Sequence, residues 1–162
     1  MHKMVYLSLG SNLGDRSGNL QGALARLEAL GKVVAVSSLY ETEPVDLAAQ
    51  PWFLNCAVKL DTEKMPKQLL GNILELEQEM GRRRNLQKGP RTIDVDILLF
   101  GTSIVETLGL TIPHPALHQR RFVLEPLAEI APEVRHPVFK RTMRELRDAL
   151  PPGQTVKKLI KG

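Results

Sequence analysis

The segment Gly89-Pro90-Arg91-Thr92-Ile93-Asp94-Val95-Asp96-Ile97-Leu98-Leu99-Phe100 constrains this chain more than any other. Ile93, Val95, Ile97 and Leu99 recur every second residue, the period of a β-strand with one face turned to a core. The same alternation puts Asp94 and Asp96 together on the other face, with Leu98 beside them and Arg91 just upstream. Two like charges ~7 Å apart at the end of an apolar strand are costly unless a cation sits between them. Read from the residues alone, they are either solvated carboxylates of a half-exposed edge strand or ligands for magnesium. Magnesium takes one or two protein carboxylates and completes its shell with water and phosphate.

The flank before the strand favours the second reading. Gly81 to Arg91 contains Arg82, Arg83, Arg84, Lys88 and Arg91 against a single apolar residue, Leu86. Bounded by glycines and a proline, it predicts an exposed loop rather than a packed helix. A charge run alone is commonly just solvated surface. Leading into a carboxylate pair, it fits polyphosphate chemistry, in which magnesium bridges phosphate oxygens and guanidinium groups neutralise developing charge. A phosphate-cradling P-loop is absent, because Gly31-Lys32 is followed by Val33 rather than serine or threonine. Side chains and metal must therefore hold any phosphate.

The whole chain reads as a single domain, residues 1–162, large enough for a real core. A net charge of +4 favours anionic partners, nucleotide or nucleic acid. Cys56 is the only cysteine, so no internal disulfide is expected; it reads as a buried inert thiol, and a reducing cytoplasm is the expected location. The first residues show no apolar signal region, and no apolar run approaches membrane-spanning length, so no membrane is expected.

Along the chain, periodicity predicts a strand over Val5–Leu9 and a turn over Gly10–Asp15. A helix through Leu20, Ala23, Leu24, Leu27 and Leu30 follows, stopped by Gly31. Val33–Tyr40 is β-rich, Glu41–Pro51 reads as a long loop, and Trp52–Leu60 is a strand. Pro66 opens a second helix with its stripe at Leu69, Leu70, Ile73, Leu74, Leu76 and Met80. After the aspartate strand come a hairpin through Gly101 and Gly109 and short helices over Arg121–Ile130 and Met143–Leu150. Residues 153–162 read as a basic tail expected to be poorly ordered. The order is that of the ferredoxin-like βαββαβ core: an α+β fold with an antiparallel sheet, helices on one face and C-terminal appendages.

Other residues invite weighing. Glu77 on the second helix reads as surface charge unless the fold brings it near Asp94. His114 and His118 have a helical zinc-ligand spacing, but Pro113 and Pro115 disfavour a helix there. His114 fits better as a hydrogen-bond donor to an oxyanion. The Gly10–Gly14 segment reads as a plain strand-to-helix turn.

Four segments, in this order, resemble the 6-hydroxymethyl-7,8-dihydropterin pyrophosphokinase family: Gly10-Ser11-Asn12-Leu13-Gly14, Phe53-Leu54-Asn55, Gly89 to Leu99, and Pro113-His114-Pro115 through Arg120-Arg121-Phe122 to Leu127. The resemblance implies transfer of pyrophosphate from ATP to the hydroxymethyl group of the pterin, releasing AMP, as a step of folate synthesis. It implies two magnesium ions held by Asp94 and Asp96, and ATP contacts from Glu77, Arg82, Arg84, Arg91, Ile97, His114 and Arg120. Arg82, Arg91, Asp94 and Asp96 would carry the catalysis. Thr42, Pro44, Val45, Phe53, Asn55 and Phe122 would form the pterin slot, two rings sandwiching a flat heterocycle and an amide reading its edge. Some family members carry tryptophan just before Gly-Pro-Arg, where this chain has Lys88, and the arginine loop here is slightly shorter. Arg83 and Arg84 are therefore exchangeable in register. The partners expected are ATP and the pterin, with no nucleic acid, and the chain is expected to be a monomer.

The competing class is an RNA-binding module, since the same element order builds RNA-recognition domains. Against it stand an aromatic content of 4%, the absence of their stacking motif, and two aspartates on a strand that would have to face phosphates.

Overall fold

The computed structural model describes residues 1–43, 51–81 and 92–159. Its centre is an antiparallel sheet ordered β5-β1-β4-β3-β8, formed by β1 (Lys3–Ser11), β3 (Tyr40–Thr42), β4 (Phe53–Thr62), β5 (Asp94–Phe100) and β8 (Val156–Lys158). A further strand, β2 (Lys32–Val36), also pairs with β4. The β-rich run expected over Val33–Tyr40 is thus two strands separated by Ser37–Leu39, both using β4 as partner. With helices α1 (Arg16–Leu27) and α2 (Pro66–Glu79), the order is the ferredoxin-like βαββαβ core. Strands β6 (Val105–Thr107) and β7 (Leu110–Ile112) make the expected hairpin, turning at Gly109 with φ 87°.

Each sheet face has its own core. On one, Val5, Leu7, Leu9, Cys56, Val58, Leu60, Val95 and Ile97 pack with Leu20, Ala23 and Leu27 of α1 and Leu69, Ile73 and Leu76 of α2. On the other, Tyr6, Ala57, Leu98 and Leu99 pack with Val123, Leu124 and Leu127 of α3 (Arg121–Ile130) and Met143 and Leu146 of α4 (Met143–Asp148). The core helices lie on one face, and the C-terminal appendages cover part of the second. Burial pushes the Cys56 thiol up to about 12, which leaves it an apolar filler.

Three details depart from the sequence reading. Leu99 does not share a face with Ile97. The β1–β5 register shifts between Tyr6 and Leu7, so Leu98 is an extra residue and the alternation flips after it. Helix α1 ends at Leu27, not beside Gly31. Gly31 instead allows a close approach: a Cβ there would lie 2.3 Å from the Asp61 carbonyl oxygen on β4. Third, the chain past Gly153 is no loose tail as far as Leu159, because β8 pairs along the whole of β3.

Because the atom opposing a side chain at Gly31 is backbone, Gly31→Ala has no cheap relaxation. It should destabilise the fold by about 1–3 kcal/mol, the usual scale of overpacking. Chemical denaturation should show a lower midpoint at unchanged slope.

Candidate active site

Helices α3 and α4 pack over Tyr6, Ala57, Leu98 and Leu99 on the second sheet face, and beyond them towards one end that face carries Thr42, Phe53, Asn55, Asp94 and Asp96. In antiparallel strands, directly paired residues point to the same face. One such row crosses all five strands: Lys158, Tyr40, Asn55, Gly10 and Asp94. The row on one side holds Ala57, Ser8 and Asp96, and the row on the other holds Val156, Thr42 and Phe53. Asn55 and Asp94 are thus separated by one intervening strand, about 10 Å at ordinary strand spacing.

The strand between them contributes only Gly10. A Cβ at Gly10 would lie 2.7 Å from Asn55 Nδ2 and 3.5 Å from Phe53 Cδ1. The Asn55 amide therefore lies across the bare backbone of β1, next to the Phe53 ring. Asn55 is 4% exposed and Thr42 is 2% exposed, yet Asn55 Oδ1 and Thr42 Oγ1 have no hydrogen-bond partner. Buried polar atoms are nearly always paired, so two orphans on one face mark a place built for a polar ligand. The turn expected over Gly10–Asp15 begins only after Ser11, which ends β1, and it is more than a connector. Asn12 Nδ2 donates to the Pro51 carbonyl at 3.1 Å, and Arg16 donates to the Trp52 carbonyl at 3.0 Å while pairing with Glu41 at 2.9 Å. These contacts fix the chain as it enters β4 at Phe53.

Asp94 and Asp96 are half-buried on this face, as the alternation predicts. Among the described residues no group of three or more His, Cys, Asp or Glu side chains assembles. Two carboxylates on one face make an oxygen donor set suited to magnesium shared with phosphates rather than to a closed structural zinc site. Glu77 is not surface charge. It is fully buried, and its carboxylate accepts the Val95 N–H at 2.9 Å, between the two aspartates.

His114 N–H donates to the Leu98 carbonyl at 3.0 Å, anchoring the segment beside the β5 bulge. Its Nδ1 accepts the Ala116 N–H at 3.2 Å, so the proton of the neutral ring sits on Nε2. Burial holds His114 below the usual histidine range; the Arg120 charge pushes the same way, and Asp94 pulls against both. Asp94, His114 and Arg120 thus share one electrostatic neighbourhood. The Arg120 guanidinium lies 5.5 Å from the centroid of the Phe122 ring, which stands at the start of α3. His118 is turned elsewhere, edge-on to Phe139 with centroids 4.8 Å apart.

Ile97 is the exception among the expected residues. Its side chain belongs to the core under α1 and α2, on the opposite face, so only its backbone is available to a ligand here. Pro44, Val45, Arg82, Arg84 and Arg91 lie outside the described residues, as does Arg83. Sequence reasoning missed Gly10 as the seat of Asn55, for which the signal would have been a glycine inside an otherwise apolar strand.

Fold and face together define an α+β domain of the ferredoxin-like class whose working surface joins a carboxylate pair to a polar slot. The sequence model of 7,8-dihydro-6-hydroxymethylpterin-pyrophosphokinase (HPPK) matches residues 6–132, and the chain belongs to that family. It is a pyrophosphokinase of folate synthesis. The 2-amino-4-hydroxy-6-hydroxymethyldihydropteridine pyrophosphokinase of Bacillus subtilis is 47% identical over 83% of this chain and 81% of its own length. That of Pseudomonas aeruginosa is 44% identical, with 93% and 94% covered. The folic acid synthesis protein fol1 of Schizosaccharomyces pombe is 44% identical over 93% of this chain, but the chain spans only 21% of it. The fold is similar to that of Plasmodium falciparum HPPK-DHPS, with TM-score 0.75 at 20% identity, covering 91% of this chain and 45% of that one.

The charges around His114 set a direct test. In two-dimensional imidazole NMR it should titrate below the ordinary histidine value of about 6.5 and keep the Nε2–H tautomer. Arg120→Ala should raise the midpoint and Asp94→Asn should lower it, since the first removes a repelling cation and the second an attracting anion. Shifts of the opposite sign would mean the three groups are not neighbours.

Proposed function

We propose that this chain, acting as one domain and as a monomer in the cytoplasm, moves the β,γ-pyrophosphoryl group of ATP to the hydroxymethyl oxygen of 6-hydroxymethyl-7,8-dihydropterin. The oxygen–β-phosphorus bond forms, the bridge between the α- and β-phosphorus breaks with its oxygen leaving on AMP, and the hydroxyl proton passes to solvent. The observation that carries this reading is the pair of buried, unpartnered oxygens, Thr42 Oγ1 and Asn55 Oδ1, on the same sheet face as Asp94, with only β1 between Asn55 and Asp94. A pterin presents amino and ring N–H donors along one edge, the complement of such acceptors.

In this reading Thr42 and Asn55 orient the heterocycle, Phe53 and Phe122 flank its faces, and Pro44 and Val45 complete the slot. Asp94 and Asp96 would hold two magnesium ions, which when bound would supply charge neutralisation at the triphosphate. His114 Nε2–H and Arg120 donate to phosphate oxygens, with Arg82, Arg84 and Arg91 from the basic segment. Glu77 acts from below: by holding the Val95 N–H it fixes the backbone between the two aspartates. Nothing among these groups is a strong base for the hydroxyl, so positioning and charge neutralisation supply the rate.

The reading is tested by AMP release from ATP that depends on the dihydropterin. Asp94→Asn and Asp96→Asn should abolish turnover with far-UV circular dichroism unchanged. Asn55→Ala should weaken pterin binding by ~1–3 kcal/mol and leave ATP binding untouched, the scale of losing a buried amide contact. Near-normal turnover in either aspartate variant, or equal losses for both substrates in Asn55→Ala, defeats the assignment.

Arg91 separates docking from chemistry. Arg91→Ala should slow the chemical step by about 10²-fold, as expected when one preorganised donor is lost, with a much smaller change in ATP affinity. Single-turnover kinetics beside equilibrium ATP binding reads both. A collapsed affinity with a fast chemical step would make Arg91 a docking residue only.

A further inference from the structure

The pterin slot stands on β3, and β3 is only three residues long. One of its edges is held by β4, which carries Asn55 and Phe53; the other is held by β8. That strand lies beyond the residues matched by the family's sequence model, which end at 132. Val156 is paired directly with Thr42, and Lys158 with Tyr40. The Glu43 N–H donates to the Thr155 carbonyl at 3.0 Å and the Leu159 N–H to the Leu39 carbonyl at 2.8 Å. Antiparallel alternation then makes Glu41–Lys157 the hydrogen-bonded pair between them. Gln154 adds a side-chain amide donated to the Glu43 carbonyl.

A second tie runs through α3. Glu129 accepts the Tyr40 hydroxyl at 2.6 Å and the Ser38 N–H at 2.8 Å, and Lys158 lies 3.7 Å from the same carboxylate. Strand β8 and α3 thus grip β3 from its open edge and from its open face.

We propose that β8 is a positioning element for the pterin slot: by pairing with β3 it sets where Thr42 Oγ1 stands relative to Asn55. The proposal rests on the reading of Thr42 and Asn55 as pterin contacts. A three-residue strand with a single neighbour is marginal, and Thr42 brings into the interior a hydroxyl with no protein partner, which opposes its own burial. The backbone pairing with β8 counters that tendency. Asp94 and Asp96 stand on β5, which pairs with β1, and His114 is tied to Leu98 of β5; β8 pairs with neither strand, so ATP binding is independent of it.

Lys157 offers a clean test, because its side chain is exposed and only its backbone joins the pairing. In the full-length protein, Lys157→Pro removes the donor and should raise the Kd for 6-hydroxymethyl-7,8-dihydropterin about tenfold, the scale of losing a backbone pair. Affinity for a non-hydrolysable ATP analogue should be unchanged, and Lys157→Ala, which keeps the backbone donor, should behave as the parent. If Lys157→Pro does not fold, Gln154→Ala carries the test, with a smaller but equally selective loss. Thr42→Val separates the two ideas. If it weakens pterin binding while the β8 variants do not, the positioning role is wrong and the slot stands. If Thr42→Val has no effect, the slot assignment itself fails and this inference with it. Equal losses for both ligands in the β8 variants would reduce β8 to a general stabiliser.

Discussion

The site depends on a missing side chain. Between Asn55 and Asp94 the sheet passes through β1, and any residue with a Cβ at position 10 would strike the Asn55 amide. Glycine inside a strand weakens it, and that cost is tolerated where another group must approach the backbone closely. Here the approaching group belongs to the protein. Once Asn55 lies flat across β1, its oxygen remains buried and unpartnered, and the carboxylates stand one strand further on. The buried amide and the carboxylate pair are thus placed at a spacing fixed by two strand intervals rather than by a loop. The contrast with Gly31 is instructive, because there the close approach is backbone to backbone and serves only packing.

The second face also decides between enzyme and RNA-binding module. RNA-recognition domains need the sheet surface opposite their two helices free, with aromatics on which bases stack. In this chain α3 and α4 cover that surface over Tyr6, Ala57, Leu98 and Leu99, and the part left open carries aspartates. A polyanion spread across the sheet would meet a helix and then two like charges.

Much of this was legible from sequence, and the boundary of legibility has a physical form. The strand alternation at Asp94 and Asp96 survives because register is strongly specified where one face is buried. It failed one turn of the pleat later, at Leu98, because a bulge is a pairing event and leaves no mark in a single strand's pattern. Glu77 was drawn to the site only through resemblance, for a related reason: helical periodicity gives its angle around α2 but not which strand edge faces it. Strand β8 was misread as a tail because three residues, Val156–Lys158, carry too few apolar positions to announce a strand that is stabilised by backbone pairing. Asn55 and Phe53 were legible only through resemblance, since an asparagine in an apolar strand has many uses.

Glu77 shows how the two faces are coupled. It comes from α2, on the face opposite the aspartates, yet its carboxylate takes the N–H of the residue between them. Strand β5 is the sheet edge, so that N–H would otherwise point away from any strand. Exposed edges are weakly held, and a carboxylate pair on a loose edge would lose its geometry. An apolar cover would leave that N–H buried without an acceptor, so an oxygen is needed at this edge. Glu77 supplies that oxygen and so sets the backbone between Asp94 and Asp96. The backbone bond from His114 to the Leu98 carbonyl closes the same strand further along, so both ends of β5 are pinned by residues of the site itself.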